Sequence, residues 1–357
     1  MDRTEQLLKD LTEAFGPPGF EDDVRSVFRR ELAYADEILT DHLGSVIAVK
    51  RGSQERPRIL FAAHMDEVGL MVKGFTKEGF VKFEPLGGWL PTELIGERVV
   101  IRTRKGEFPG VVGTLPPHLK RGEEAKKPPE LKELYIDFGV AEGFNPVKEL
   151  DIRIGDPIVP YSTFQITGNE KVFIAKAFDD RVGVAHLLRV MDEIQNLKDH
   201  PNTVYLAAVV QEEVGLRGAG TTSWVVEPDI AIAVDVSLAE DVPGLESYTE
   251  AKFGKGVSIV VQDRTMIAHR RFRDYLVALA EQHNIPYHLV TVQGGYDTGR
   301  IHLFQKGVPS AILGIPSRYI HGFNSMIHKD DLESAVRLAV ALIQDLDEKK
   351  VEEFTTY

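Results

Sequence analysis

Four short apolar runs in this chain lead into residues that carry charge or hold metals. Arg58-Ile-Leu-Phe-Ala-Ala ends in His64-Met-Asp66-Glu67, and Val172–Phe178 ends in Asp179-Asp180-Arg181. Thr203–Val210 ends in Gln211-Glu212-Glu213, and Ile230–Val236 carries Asp235 near its end. Such runs fit strands buried on both faces. In an open parallel sheet their carboxyl ends lie along one edge, where ligands bind. Carboxylates gathered there repel one another unless a cation neutralises them. The pattern therefore predicts a divalent metal, or a pair.

The spacing within each cluster has its own sense. Residues two apart on a strand point to one side, so the Asp66 carboxylate can accept the second ring N–H of His64 and fix the imidazole for metal binding. In Glu212-Glu213, one carboxylate can hold a metal while its neighbour takes a proton from water. The apolar run before the pair and the Val-Gly-Leu-Arg-Gly after it argue for a tight buried turn. Asp179-Asp180 stands at a strand-to-helix junction, where either Asp could cap the helix, leaving the other free to bridge metals. Arg318-Tyr-Ile-His321-Gly322 supplies a closing imidazole, with His328 as its competitor. Singly, these signals are weak, since a lone histidine is more often structural. Their repetition at successive strand ends gives them weight.

The elements that must position these residues follow from periodicity. Leu7, Leu8, Leu11 and Phe15 sit at helical spacing in residues 3–15, and Gly16-Pro-Pro-Gly19 ends that helix. A second helix is expected over Glu21–Leu32, and strands over Glu37–Thr40 and Val46–Lys50. From Val72 to about Thr163 the texture changes to short β-like runs separated by Gly and Pro: Phe80–Phe83, Arg98–Arg102, Gly110–Thr114, Leu134–Val140 and Pro157–Pro160. Pro116–Lys132, containing His118, reads as a charged, solvated loop. Beyond residue 172 alternation returns, with helices expected over Arg181–Leu197, Asp274–His283 and Asp331–Lys349. Further strands are expected over Val257–Val261, Tyr287–Val292 and Pro309–Leu313. The expectation is an α/β fold with a mostly parallel sheet and helices on both faces. The catalytic domain would comprise residues 1–70 and 164–357, interrupted by a β-barrel-like domain at 71–163.

Composition narrows the chemistry. The 357 residues exceed what one core usually holds. With no cysteine, thiolate metal sites and a cysteine nucleophile are excluded, so a metal must be held by His, Asp and Glu. A formal charge of −13 disfavours nucleic acid and anionic membranes as partners. No uncharged run reaches the roughly 20 residues of a membrane span, and the charged amphipathic start is unlike a secretory signal. A cytoplasmic protein is expected.

Together the blocks resemble the glutamyl and deblocking aminopeptidases that form tetrahedral TET particles, cobalt- or zinc-dependent exopeptidases of which some were once described as cellulase M. The matching stretches are Leu11–Glu21 (LTEAFGPPGFE), Ala63–Gly69 (AHMDEVG), Gly113–Leu119 (GTLPPHL), Ala177–Gly183 (AFDDRVG), Val210–Gly220 (VQEEVGLRGAG), Ala233–Val236 (AVDV), Gly294–Leu303 (GGYDTGRIHL) and Arg318–Gly322 (RYIHG). The resemblance implies two divalent ions per subunit, zinc or cobalt, with manganese a third candidate. It assigns His64 and Asp235 to one ion, Glu213 and His321 to the other, and Asp179 to both. It makes Glu212 the general base and gives Asp66 the orientation of His64. It also implies peptide substrates, a β-domain used for dimerisation and assembly, self-association from dimer up to dodecamer, and a loop around His118 that reaches toward a neighbouring subunit's site. The chain departs from the family's GGTDAG at Tyr296 and Thr298, with Arg300 following, and carries Gly322-Phe-Asn-Ser where the family has Ser and Pro-x-Glu. Arg300 or Lys176 could favour acidic substrate side chains by charge pairing. The rival readings are another di-metal amidohydrolase, such as an N-acyl amino acid deacylase, and a catalytically silent scaffold of the same fold.

Overall fold

The structure, a computed structural model, describes residues 1–116, 119, 127–195, 197, 199–245 and 251–356; His118 lies outside them. The chain opens with α1 (Arg3–Glu13), closed at its N-terminus by a reciprocal capping box between Asp2 and Glu5. Next come α2 (Asp22–Arg30), β1 (Glu37–Thr40), β2 (Val46–Arg51) and β3 (Arg58–His64). The middle of the chain forms β4 (Gly69–Phe75), β5 (Val81–Leu86), α3 (Pro91–Leu94), β6 (Arg98–Thr103), β7 (Gly106–Gly113), β8 (Tyr135–Asp137), α4 (Pro146–Glu149) and β9 (Pro157–Pro160). There follow β10 (Gln165–Ile166), β11 (Val172–Ala175), α5 (Phe178–Ile194), β12 (Thr203–Val209), α6 (Arg217–Val226) and β13 (Ile230–Leu238). The last elements are β14 (Val257–Gln262), α7 (Arg270–Gln282), β15 (Tyr287–Thr291), α8 (Thr298–Ile301), β16 (Ser310–Arg318), β17 (Ser325–His328), α9 (Lys329–Asp345) and α10 (Glu348–Thr355).

The large sheet runs β1-β2-β12-β3-β13-β16-β17-β11-β10, with β14 joined to β16 and β15 to β14. Its centre is parallel, from β12 through β3 and β13 to β16. Antiparallel strands flank that centre on both sides. The parallel register decides where the chemistry falls. Val209 pairs with His64, and Ala62 pairs with Ala233, so His64 and Asp235 leave adjacent strands side by side at the carboxyl edge.

Alternation along β3 explains the layers. Ile59, Phe61 and Ala63 join the core made with α1, α2, α5, α7 and α9, while Leu60 and Ala62 face Ala219 and Val226 of α6 and Ile301 of α8. Every one of these side chains is buried, so the strand reads as a continuous apolar run, as a strand covered on both faces must. The smaller sheet closes into the barrel β4-β5-β8-β7-β6-β9 around its own core of Val72, Val81, Val99, Ile101, Val112, Ile136 and Ile158. Closure leaves this sheet without an open edge.

Boundaries differ from the periodicity where local chemistry overrides it. The expected long C-terminal helix divides, because Leu346 leaves helical geometry and Asp347 starts α10 by capping Lys350 N. The strand expected to end at Leu313 runs on to Arg318. The barrel also holds α3 and α4, single turns that the β-like texture hid, each begun by a proline whose fixed φ suits a first helical position. Among the described residues no helix is long and apolar enough to cross a membrane.

Candidate metal centre

His64 is the last residue of β3 and is 1% exposed. Its Nε2 lies 3.0 Å from Asp179 Oδ1, 3.8 Å from Asp235 Oδ2 and 3.9 Å from Glu212 Oε2. The second oxygen of Asp179 is 3.2 Å from His321 Nε2, which in turn stands 3.4 Å from Glu213 Oε1. One carboxylate therefore spans two imidazoles. Three groups have ligand atoms within 4.8 Å of one another: His64 with Asp179 and Asp235, Asp179 with Glu213 and His321, and His64 with Glu212 and Glu213.

The backbone at the start of α5 separates the two aspartates. Ala177 has φ +58°, and neither Asp179 nor Asp180 is helical. The peptide between them is cis. Asp180 turns inward, where its carboxylate accepts His64 N at 3.1 Å and Gly183 N at 3.0 Å. Asp180 is thus the one tied to the helix start, and Asp179 is left facing the histidines. Gly183 is required by this packing: a Cβ there would lie 2.4 Å from both Asp180 oxygens and 2.6 Å from Val234 O.

Asp66 is close to the site, but its carboxylate does not do what strand alternation predicted. β3 ends at His64, so the two residues do not share a strand face. His64 Nδ1 donates to the main-chain carbonyl of Asp66 at 2.9 Å and is 3.7 Å from Oδ1. The carboxylate instead accepts Glu212 N at 3.0 Å and Glu213 N at 3.1 Å. It fixes the acidic turn rather than the imidazole. The two histidines use one device. His321, at φ +63°, donates Nδ1 to Gly88 O at 3.0 Å, so both rings keep Nε2 for the cluster. His328 is elsewhere, accepting Asp330 N at the start of α9.

The electrostatics are those of buried carboxyls whose ionisation is opposed by burial and by one another. Burial, with neighbouring carboxylates, pushes the Asp235 and Glu212 carboxyls well above the usual range, and burial pushes Glu213 upward too. Burial also acts against ionised Asp179, but hydrogen bonds from His321 and His64 prevail and lower it. Burial disfavours a charged His321 likewise, yet Asp179 and Glu213 outweigh that and push it up to about 11. Glu213 Oε1 is buried without a hydrogen-bond partner. Imidazole nitrogens and carboxylate oxygens without a sulfur are donors suited to zinc, cobalt or manganese. A divalent ion would supply charge opposite to the gathered carboxylates and engage that orphan oxygen, so the donor set fits a metal.

The cluster opens into a cavity of about 610 Å³. Of the departures marked in the sequence, Tyr296 lines that cavity but is tied off, its hydroxyl donating to Val236 O at 2.9 Å. Thr298 is buried and Arg300 is exposed on α8, away from the lining. Lys176 is not free for a substrate: its Nζ lies 2.7 Å from both oxygens of buried Glu67. Sequence reasoning missed this network. Arg181 joins Glu67 at 3.2 Å and donates to the carbonyls of Leu11, Ala14, Gly16 and Met65, locking α1, the loop after β3 and α5 together. An arginine next to the aspartate pair, inside an apolar helix face, was the signal available for it.

The M42 glutamyl aminopeptidase family model matches residues 44–338. A glutamyl aminopeptidase of Lactococcus lactis subsp. cremoris is 35% identical, the match covering 98% of each chain. A lysyl aminopeptidase of Pyrococcus furiosus is 34% identical, covering 96% of this chain and 97% of the other. Among solved structures, a TET aminopeptidase from the marine sediment archaeon Thaumarchaeota archaeon SCGC AB-539-E09 superposes with a TM-score of 0.95 at 44% identity over 99% of both chains. The Pyrococcus horikoshii TET1 peptidase, described as assembling into a tetrahedron or a large octahedral shell, gives 0.84 at 31% identity over 96% of this chain and 100% of its own.

Proposed function

The chain belongs to the M42 glutamyl aminopeptidase family, and from that premise we propose which residues carry its metal-dependent aminopeptidase activity. His64 and Asp235 would hold one divalent ion, Glu213 and His321 a second, and Asp179 would serve both. The observation that carries this reading is the position of Asp179, with one oxygen 3.0 Å from His64 Nε2 and the other 3.2 Å from His321 Nε2. Zinc or cobalt suits these donors, with manganese a third candidate. When bound, the ions would polarise the scissile carbonyl and lower the pKa of the attacking water.

The chain's own residues supply the proton movements. Glu212 lines the open cavity, its main chain pinned by Asp66. It would accept a proton from the attacking water and return one to the leaving amine. Asp66 would act as a positioning residue, through its carbonyl on His64 and its carboxylate on the Glu212-Glu213 turn. In the test, Glu212→Gln keeps its metal content and loses most activity on aminoacyl anilides. His64→Ala loses bound metal. Near-normal turnover of Glu212→Gln would remove Glu212 from its role.

The barrel is proposed as an inserted domain for self-association. It presents Leu90, Val111 and Ile154 at 61%, 44% and 70% exposure. The tetrahedral and octahedral assemblies described for the Pyrococcus horikoshii relative support this reading. Light scattering of the purified protein tests it, and a monomer at micromolar concentration would refute it.

A further inference from the structure

We infer that Trp89 and Phe323 are positioning residues for His321: they clasp the loop that carries it to the barrel, and so set how tightly the second ion is held. The inference rests on the proposed assignment of Glu213 and His321 to that ion.

The two imidazoles of the cluster are supported unequally. His64 ends a central strand and is 1% exposed, whereas the His321 side chain is 33% exposed, the most open of the proposed ligands. His321 sits in the turn between β16 and β17, where Tyr319 and His321 both have positive φ, +59° and +63°. Residues other than glycine hold that conformation where their surroundings impose it. The turn's own bond, Gly322 N to Tyr319 O at 3.2 Å, does not reach the imidazole.

The restraint comes from the barrel. Gly87-Gly88-Trp89-Leu90 joins β5 to α3. Gly88 O accepts His321 Nδ1 at 3.0 Å, and a Cβ on Gly88 would lie 3.2 Å from that nitrogen. A Cβ on Gly87 would lie 3.0 Å from Glu213 Oε2. The barrel therefore presses on both residues assigned to the second ion. Trp89 fixes this loop, its indole N–H donating to Gly69 O on β4 at 3.0 Å. The Trp89 ring meets Phe323, with centroids 5.6 Å apart and planes at 52°. Phe323, two residues after His321, is 5% exposed. Among the described residues it is the one from beyond Ile158 that is buried in the barrel's apolar core. Ser162 adds another tie, donating Oγ to Asn324 Oδ1 at 2.8 Å. Phe323 and Asn324 belong to the stretch in which the sequence departs from the family pattern, and here that stretch fastens the His321 turn to the barrel. A carbonyl aims an imidazole when the two chains that carry them are held in register. Trp89 holds one, Phe323 holds the other, and their contact joins the two.

The experiment titrates metal-free protein with zinc by calorimetry, comparing the wild type with Phe323→Ala, Phe323→Leu, Trp89→Phe and Ile136→Ala. His321→Ala identifies which binding step belongs to the second ion. Phe323→Ala should weaken that step by about ten- to a hundredfold and leave the other nearly unchanged. Phe323→Leu keeps an apolar side chain in the barrel core and should restore most of the affinity. Trp89→Phe keeps a ring against Phe323 but loses the bond to Gly69 O, and should fall between. Ile136→Ala opens a cavity in the barrel core on β8 and should lower stability without moving either step. On an anilide, kcat of Phe323→Ala should fall at limiting zinc and recover at saturating zinc, with KM nearly constant; a purely structural loss would not recover. An unchanged second step in Phe323→Ala, or an equal loss in Ile136→Ala, overturns the inference. A wild type that binds fewer than two zinc ions would fail the assignment of the second ion instead. Hydrogen exchange of the metal-free proteins then decides for the clasp: faster exchange confined to residues 319–325 in Phe323→Ala supports it, and exchange equal to the wild type overturns it.

Discussion

Asp66→Asn separates two accounts of the residue most entangled with the site. Asp66 is fully buried, and its carboxylate accepts two main-chain donors, Glu212 N at 3.0 Å and Glu213 N at 3.1 Å. An amide offers one carbonyl oxygen and one NH₂ group. One donor keeps a weaker, uncharged partner, and the other meets a donor and is left unsatisfied. Hydrogen bonds to charged groups contribute roughly 1.5–3 kcal/mol, and an orphaned buried donor costs about 1–3 kcal/mol, so a loss of about 2–4 kcal/mol is expected. In a chain of this length that lowers Tm by several degrees. The Asp66 main-chain carbonyl, which accepts His64 Nδ1, is untouched. Affinity for the ion at His64 and Asp235 should then stay within a few-fold, while displacement of the Glu212-Glu213 turn weakens the ion at Glu213 and lowers kcat by about a hundredfold. The assay is threefold: thermal unfolding of the metal-free protein, metal stoichiometry and affinity by calorimetry, and kcat on an anilide. If the carboxylate instead oriented His64, its loss would weaken the ion at His64 by roughly ten- to a hundredfold with stability nearly intact. That outcome would refute the assignment made from these distances.

Other expectations follow from contacts around the cluster. Gly183→Ala places a Cβ 2.4 Å from the Asp180 carboxylate and 2.6 Å from Val234 O, and should cost about 1–3 kcal/mol by overpacking; wild-type stability in urea would contradict that packing. Lys176→Met leaves Glu67 with Arg181 as its remaining cation and should destabilise by a few kcal/mol. The same variant should leave metal content unchanged, since Lys176 Nζ is held by Glu67 and not by the cluster. His186, fully buried on α5, is pushed down to about 4 by burial. A depressed folded value contributes stability that is present above about 6.5 and is lost as pH falls toward 4. His186→Leu should therefore retain about 3 kcal/mol that the wild type loses between pH 7 and 4, read as the difference between their urea midpoints at each pH. Equal acid sensitivity of the two proteins would show that His186 is not the group responsible.

The fold was legible where packing is the same on both sides of an element. β3 and β12 are covered on both faces, so Ile59–Ala63 and Val204–Val209 read as continuous apolar runs. The α5 face of Val184, Leu187, Leu188 and Met191 was equally plain, since all four enter one core. What escaped was set by groups that leave no hydrophobic trace. Asp347 ends one helix and begins another through a single cap, and Pro91 and Pro146 begin single turns inside a sheet. The antiparallel flanks of the large sheet escaped as well, because strand direction depends on how long connections return and not on the residues within the strand.

The site divides along a related line. His64, Asp179, Glu212, Glu213, Asp235 and His321 were readable as candidates, because imidazoles and carboxylates recur at strand ends, but the choice of Asp179 over Asp180 and of His321 over His328 came with the resemblance. The contacts that aim them are largely main-chain: the carbonyls of Asp66 and Gly88 hold the two imidazoles, and the N–H groups of Glu212, Glu213 and His64 are held by buried carboxylates. A main-chain carbonyl has the same chemistry at every position, so no residue type announces it. Asp66 shows the consequence. Its type and its spacing from His64 are those of an orienting carboxylate, yet the carbonyl orients and the carboxylate is spent on the neighbouring turn. Substitutions that preserve side-chain charge but move the backbone, such as Gly183→Ala, should therefore disturb this centre as much as removal of a ligand.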